Sequence, residues 1–113
     1  MRRTYRKPLI IIAPKKLLKH KDANSEIKEF EDGLKFKRII RDRWDKLEKP
    51  EKVRKIVFCS GQVYYDLHND RVKNNKTDVA VIRLEQLCPF PFKQILREMN
   101  LFTQAEVVWC QEE

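Results

Sequence analysis

Few residues in this chain combine the type and spacing that chemistry requires. Ser60-Gly61, in "FCSGQVYYDL", falls between an apolar strand pattern and a helical one. In open α/β sheets, ligands sit at the carboxyl ends of strands, and helix N-termini favour anions. Ser60 is equally an ordinary helix cap, and one glycine is far from a phosphate-binding fingerprint. A serine nucleophile would need a strained GxSxG elbow and a nearby base, which "CSGQ" does not offer. Arg83, Glu85 and Gln86 gather at a second strand end, in "VIRLEQLCPFPF". Alternation puts Arg83 and Glu85 on one face; the group reads as a structural ion pair, as side chains that satisfy loop backbone, or as contacts to a ligand. Lys93 follows Pro91 at the predicted start of a helix, where a cation opposes the dipole unless an anion offsets it. His20 and His68 are isolated, and His68 is expected to be exposed on the polar end of its helix. Cys59, Cys88 and Cys110 form no CxxC pair, and the isolated histidines give them no zinc-ligand spacing. The expectation is three reduced thiols acting as small buried hydrophobes. Glu112 and Glu113 are neighbours that point apart in extended chain and read as solvated. No nucleophile, base and oxyanion donor assemble.

The elements that must position these groups are clearest in the second half. Val53–Cys59 reads as a strand, Gln62 to about Asn74 as a helix, and Asp78–Leu84 as a nearly all-apolar strand. Pro91 fits the first position of a helix, because its missing N–H costs nothing there. Phe92, Ile95, Leu96 and Met99 then fall on one helical face. Glu106–Cys110 reads as a last strand. Strand, helix, strand, helix, strand implies βαβ crossovers and a mostly parallel sheet flanked by helices. In the first half, Leu9–Ala13 reads as a buried strand stopped by Pro14. Residues 15–20 read as a short helical turn, and 22–33 as a loop, with room for a helical turn, ending at Gly33. Leu34–Ile40 alternates apolar and basic residues, the pattern of a half-exposed edge strand. Residues 41–52 form a charged connection. The final strand, with no helix after it, suggests a chain cut after Glu113.

Length and charge bound the function. The 113 residues suit one domain with one core. No apolar run approaches the roughly 18–20 residues of a membrane span. The basic start followed by Leu9–Ala13 is too short for a signal peptide, and "APKK" is no cleavage site. The net charge of +8 is uneven: residues 1–55 hold 19 Lys/Arg and 9 Asp/Glu, whereas residues 56–113 hold 6 and 8. The basic residues are interspersed with acids and lack aromatic stacking platforms. A solvated or partner-facing surface fits them better than nucleic-acid binding.

The blocks "RKPLIIIAPKKLLKH", "FCSGQVYYDL", "AVIRLEQLCPFPF" and "AEVVWCQEE" resemble, in order, the C-terminal region of the thiamine-diphosphate-dependent first component of 2-oxoglutarate dehydrogenase. Enzymes acting on 2-oxoadipate share them. The resemblance implies a transketolase-type C-terminal domain that helps organise a homodimer. It implies a parent chain that decarboxylates 2-oxoglutarate on thiamine diphosphate and Mg²⁺ and passes the succinyl group to the lipoyl arm of a second component. Catalytic and cofactor residues would lie in the rest of that chain, leaving this fragment inactive alone. The family chain continues beyond "QEE". Some bacterial relatives carry an acetyl-CoA activator site here. By position Lys35 and Gln86 match it, Lys93 replaces an arginine, and Arg38 and Gln94 depart from the pattern.

The expectation is therefore one α/β domain, residues 1–113, serving a 2-oxoglutarate dehydrogenase. The mitochondrial matrix would be its place in a eukaryote and the cytoplasm in a bacterium. No nucleic-acid or membrane partner is expected. The alternative is a stand-alone binding or assembly module with an anionic effector at Lys35, Gln86 and Lys93.

Overall fold

The computed structural model describes Thr4, residues 6–8 and residues 10–112. Four strands form one sheet: β1 (Ile39–Ile40), β2 (Lys55–Cys59), β3 (Val79–Leu84) and β4 (Glu106–Cys110), in the order β1-β3-β2-β4. Helix α1 (Val63–Lys73) joins β2 to β3, and α2 (Phe92–Leu101) joins β3 to β4. β2 runs parallel to both β3 and β4, and only β1 is antiparallel. The fold is thus α/β and mostly parallel, consistent with a transketolase C-terminal-like domain.

The period-2 rule assigns the two faces. Ile56 and Phe58 of β2 stand beside Ala80 and Ile82 of β3, and with Leu84 they form a core closed by Ile95, Met99 and Phe102 of the α2 region. Val57, Cys59 and Val81 point to the other face, where Tyr65 of α1 is buried. The connection through α1 steps outward from β2 to β3. The connection through α2 steps back past β2 to β4. Two crossovers of the same hand in opposite directions place their helices on opposite faces, as seen.

The apolar stripe of α2 is split. Ile95 and Met99 pack on the core, whereas Phe92 and Leu96 are exposed, and Glu98 is buried with 2% of its surface accessible. Pro91 sits at the N-cap, one position before the first helical residue.

Two strand expectations need correction. Ile10–Ala13 lie in no strand, and Ile12 is 97% exposed, while Leu9 falls outside the described residues. An apolar run supplies a face but not a hydrogen-bonded neighbour, and a strand requires both. Of Leu34–Ile40, only Ile39–Ile40 join the sheet, at its edge. Beyond them the Arg38 carbonyl accepts from the amides of both Glu85 and Gln86, at 2.9 and 3.1 Å, and the regular ladder ends there. The helical turn at 15–20 is a 3-10 turn, Lys15–Lys19, and the loop at 22–33 contains another, Ile27–Phe30.

Candidate functional site

Arg83, Glu85 and Gln86 stand where β3 ends. β3 delivers Arg83, which stays beside the sheet through three contacts. Its Nη1 donates to the Tyr65 hydroxyl at 3.0 Å, and its guanidinium lies 4.6 Å from the Tyr64 ring centroid. Its Nε is 2.7 Å from Glu85 Oε1, so Arg83 and Glu85 form the structural ion pair that alternation allows. Burial pushes the Tyr64 phenol up from its ordinary value, with the Asp42 carboxylate adding to the effect.

After Leu84 the chain turns. Gln86 Nε2 donates to the Pro89 carbonyl at 2.6 Å, closing a loop that contains the cis Cys88–Pro89 peptide. This explains a strand that runs straight into two prolines. Gln86 braces the turn, and Pro91 opens α2 without leaving an orphan N–H.

Lys35 and Gln86 line one open pocket of ≈ 500 Å³, with Phe36, Arg38, Glu85 and Leu87. Lys35 also borders an adjoining groove of ≈ 590 Å³ that includes Glu29, Lys37 and Arg43. In that groove the hydrogen bond from Lys37 holds the Glu29 carboxyl below its ordinary value. Lys93 is the second residue of α2, exposed, and does not line either space. Gln94 meets Lys35 and Arg38 in a third opening of ≈ 420 Å³. The structure therefore brings Lys35, Arg38 and Gln86 together and leaves Lys93 apart. The lining is cationic but carries Glu85 within it.

Ser60 does not cap α1. Gly61 turns the chain at φ 75°, and Gln62, already helical in backbone, is the N-cap without a side-chain bond. Ser60 is thus two positions too early. His68 is half-buried rather than exposed. It stacks on Tyr64, with ring centroids 5.9 Å apart, and its Nδ1 lies 3.0 Å from Arg71 Nη2. Of the cysteines only Cys59 is buried; Cys110 is half-buried and Cys88 exposed.

Sequence reasoning missed two pairs in the charged connection. Asp42 is bonded to Arg71 of α1, and both side chains are 2% exposed. Asp42 Oδ2 also accepts from the Val81 amide at 2.7 Å, and Arg71 donates to the Val79 carbonyl at 3.0 Å. The pair thereby takes over two backbone groups on the edge of β3 beyond the short β1. The next residue back, Arg41, donates to buried Glu98 of α2 at 2.6 Å. Consecutive residues of extended chain point to opposite faces, so Arg41 and Asp42 reach one helix each. Only long-range pairing reveals this, because "RDRWDK" alone looks like a solvated run.

Among the described residues, no three His, Cys, Asp or Glu side chains gather to hold a metal ion. No described helix is long and apolar enough to cross a membrane.

Fold and site together define a mostly parallel α/β domain whose strand ends carry cationic and amide groups. Comparison with known proteins gives it a family. The sequence profile described as 2-oxoglutarate dehydrogenase C-terminal matches residues 24–113. Proteins named "2-oxoglutarate dehydrogenase E1 component" from Brucella abortus (strain S19) and Brucella ovis are each 46% identical over 120 aligned residues. In both cases the alignment covers 100% of this chain and 12% of the relative. The chain belongs to the 2-oxoglutarate dehydrogenase C-terminal family and spans about one eighth of the length of these relatives.

Proposed function

We propose that this chain works as the C-terminal domain of a 2-oxoglutarate dehydrogenase first component, organising the enzyme rather than performing its chemistry. The observation that carries this is the match over the whole chain to a small share of much longer relatives that bear that name. In this reading the parent decarboxylates 2-oxoglutarate on thiamine diphosphate and Mg²⁺. It forms a homodimer and hands the acyl group to a lipoyl-bearing second component. In this reading the groups that hold the metal and its cofactor lie outside this domain, in the rest of the parent chain. The parent would work in the cytoplasm of a bacterium or the mitochondrial matrix of a eukaryote.

The test is the size of the native polypeptide that contains "VYYDLHNDR", read by mass spectrometry after denaturing electrophoresis of source lysate. The expected result is a chain several times longer than this one, with 2-oxoglutarate decarboxylation in the same fraction. A native chain of 13.7 kDa would overturn the reading and leave a stand-alone binding module.

A second reading is favoured by one observation. Lys35, Arg38 and Gln86 share a pocket whose cationic lining suits a phosphate-bearing acyl carrier. If so, acetyl-CoA titrated onto the native enzyme shifts its activity, and Lys35→Ala or Gln86→Ala weakens that response. An unchanged response in both variants removes this pocket as the effector site.

A further inference from the structure

β2 ends at Cys59 and β4 ends at Cys110, and these two residues are register partners in the parallel ladder. Equal register and parity put both side chains on the α1 face of the sheet. Neighbouring strands lie about 4.8 Å apart. Two cysteines can be bridged when their Cα atoms are about 4.4–6.8 Å apart and their Cβ atoms about 3.5–4.5 Å apart, so closing the bridge draws the two strand ends slightly together. The strand order adds a second observation. The connection leaving β2 goes to one side and the connection returning to β4 goes to the other. The boundary between β2 and β4 is therefore the topological switch point, where the carboxyl ends of an open sheet leave a crevice. Cys59 is fully buried, and Cys110 is half-buried and so partly open to solvent.

We propose that Cys59 and Cys110 form a paired-thiol modification site at the switch point, which a low-molecular-weight disulfide closes into a bridge between β2 and β4. The thiolate of half-buried Cys110 attacks one sulfur of oxidised glutathione, forming a mixed disulfide and releasing one glutathione thiolate. Cys59 then loses its proton and attacks the Cys110 sulfur. The second glutathione leaves and takes up that proton. Two protein thiols are oxidised, and one glutathione disulfide is reduced to two thiols. Cys88, exposed in the proline turn, has no register partner and can only hold a mixed disulfide. The bridge would staple β4, which among the described residues pairs with β2 only, to the centre of the sheet.

Trypsin separates the three cysteines, into residues 56–71, residues 84–93 and a peptide beginning at Glu98. The native full-length polypeptide is treated with oxidised glutathione, quenched in acid, alkylated and digested. The expected product joins the Cys59 and Cys110 peptides, two hydrogen masses below their sum, while Cys88 carries glutathione. In Cys59→Ser, glutathione is expected to remain on Cys110. Phenylarsine oxide, which bridges two close thiols without needing disulfide geometry, should protect both from alkylation in the wild type. Stable glutathione on wild-type Cys110 beside a free Cys59 would overturn the proposal, as would an unreactive Cys110, a bridge to Cys88, or alkylation unaffected by the arsenical.

Discussion

Replacing Asp42 by alanine would leave the Arg71 guanidinium buried without its carboxylate and the Val81 amide without an acceptor. Loss of one partner from a buried pair costs about 3–5 kcal/mol. Asp42→Ala is therefore expected to be among the most damaging single changes in the chain by urea unfolding. Asp78→Ala, which removes only the exposed partner of Arg54, should cost less than about 1 kcal/mol. Cys59 adds a pH dependence. Burial, followed by the neighbouring Cys110, pushes its thiol from an ordinary value of 9.0 up to about 11; Glu85 adds to the rise, and Arg83 opposes it. A group whose value is raised by folding is protonated longer in the folded state. Its stabilisation is complete below the unfolded value and is lost as pH rises through the folded one. Stability should fall between about pH 9 and 11. Tyr64, also pushed upward, acts in the same direction. The slope of stability against pH should be shallower in Cys59→Ala, measured by denaturant titration at each pH. The sequence revealed the Arg83–Glu85 pair through its spacing of two. Asp42 was opaque because its partner is 29 residues away and its neighbours are all charged.

At the scale of elements, the turn from β2 into α1 depends on Gly61 at φ 75°, with nothing within 4 Å of where a Cβ would stand. Gly61→Ala should thus cost about 1 kcal/mol from backbone conformation alone, without a packing defect. Ile82, fully buried between the α2 region and the sheet, is a different case: Ile82→Ala should cost about 2–5 kcal/mol through the cavity it leaves. Thermal or urea unfolding of the two variants separates the mechanisms by magnitude. The βαβ half was legible because each element carries its own signal: apolar runs bounded by turns, a helical period, and a proline where a helix may begin without an N–H. The first half was not. Leu34–Ile40 has the alternation of a strand, but β3 offers an edge only to Ile39 and Ile40. Ile10–Ala13 has hydrophobicity without a ladder among the described residues.

The whole molecule is looser than its length suggests. Its radius of gyration is 15.9 Å, against about 13 Å for a compact domain of this size. Ile10, Ile11, Ile12, Phe30 and Phe36 are exposed along the first third, and Trp109 is 44% exposed on β4. Exposed apolar side chains, where they gather into a patch, mark contact with other protein. If the proposed parent enzyme is correct, the isolated 113-residue chain should self-associate in sedimentation velocity. Hydroxyl-radical footprinting should find the same residues protected in the full-length polypeptide. Equal reactivity in both would sink that expectation. The uneven charge was visible in the sequence, but composition could not say which apolar residues lack cover within the chain.

The paired grip of Arg41 and Asp42 makes the length of the chain here matter more than its chemistry. β1 contributes only Ile39 and Ile40, so the count from that strand decides which helix each charge meets. Inserting one residue between Ile40 and Arg41 would reverse the parity of everything after it. The carboxylate would then face the buried Glu98 and the guanidinium the buried Arg71, turning two attractions into two repulsions. A connection that reads as a tolerant surface loop thus behaves as a ruler with single-residue divisions.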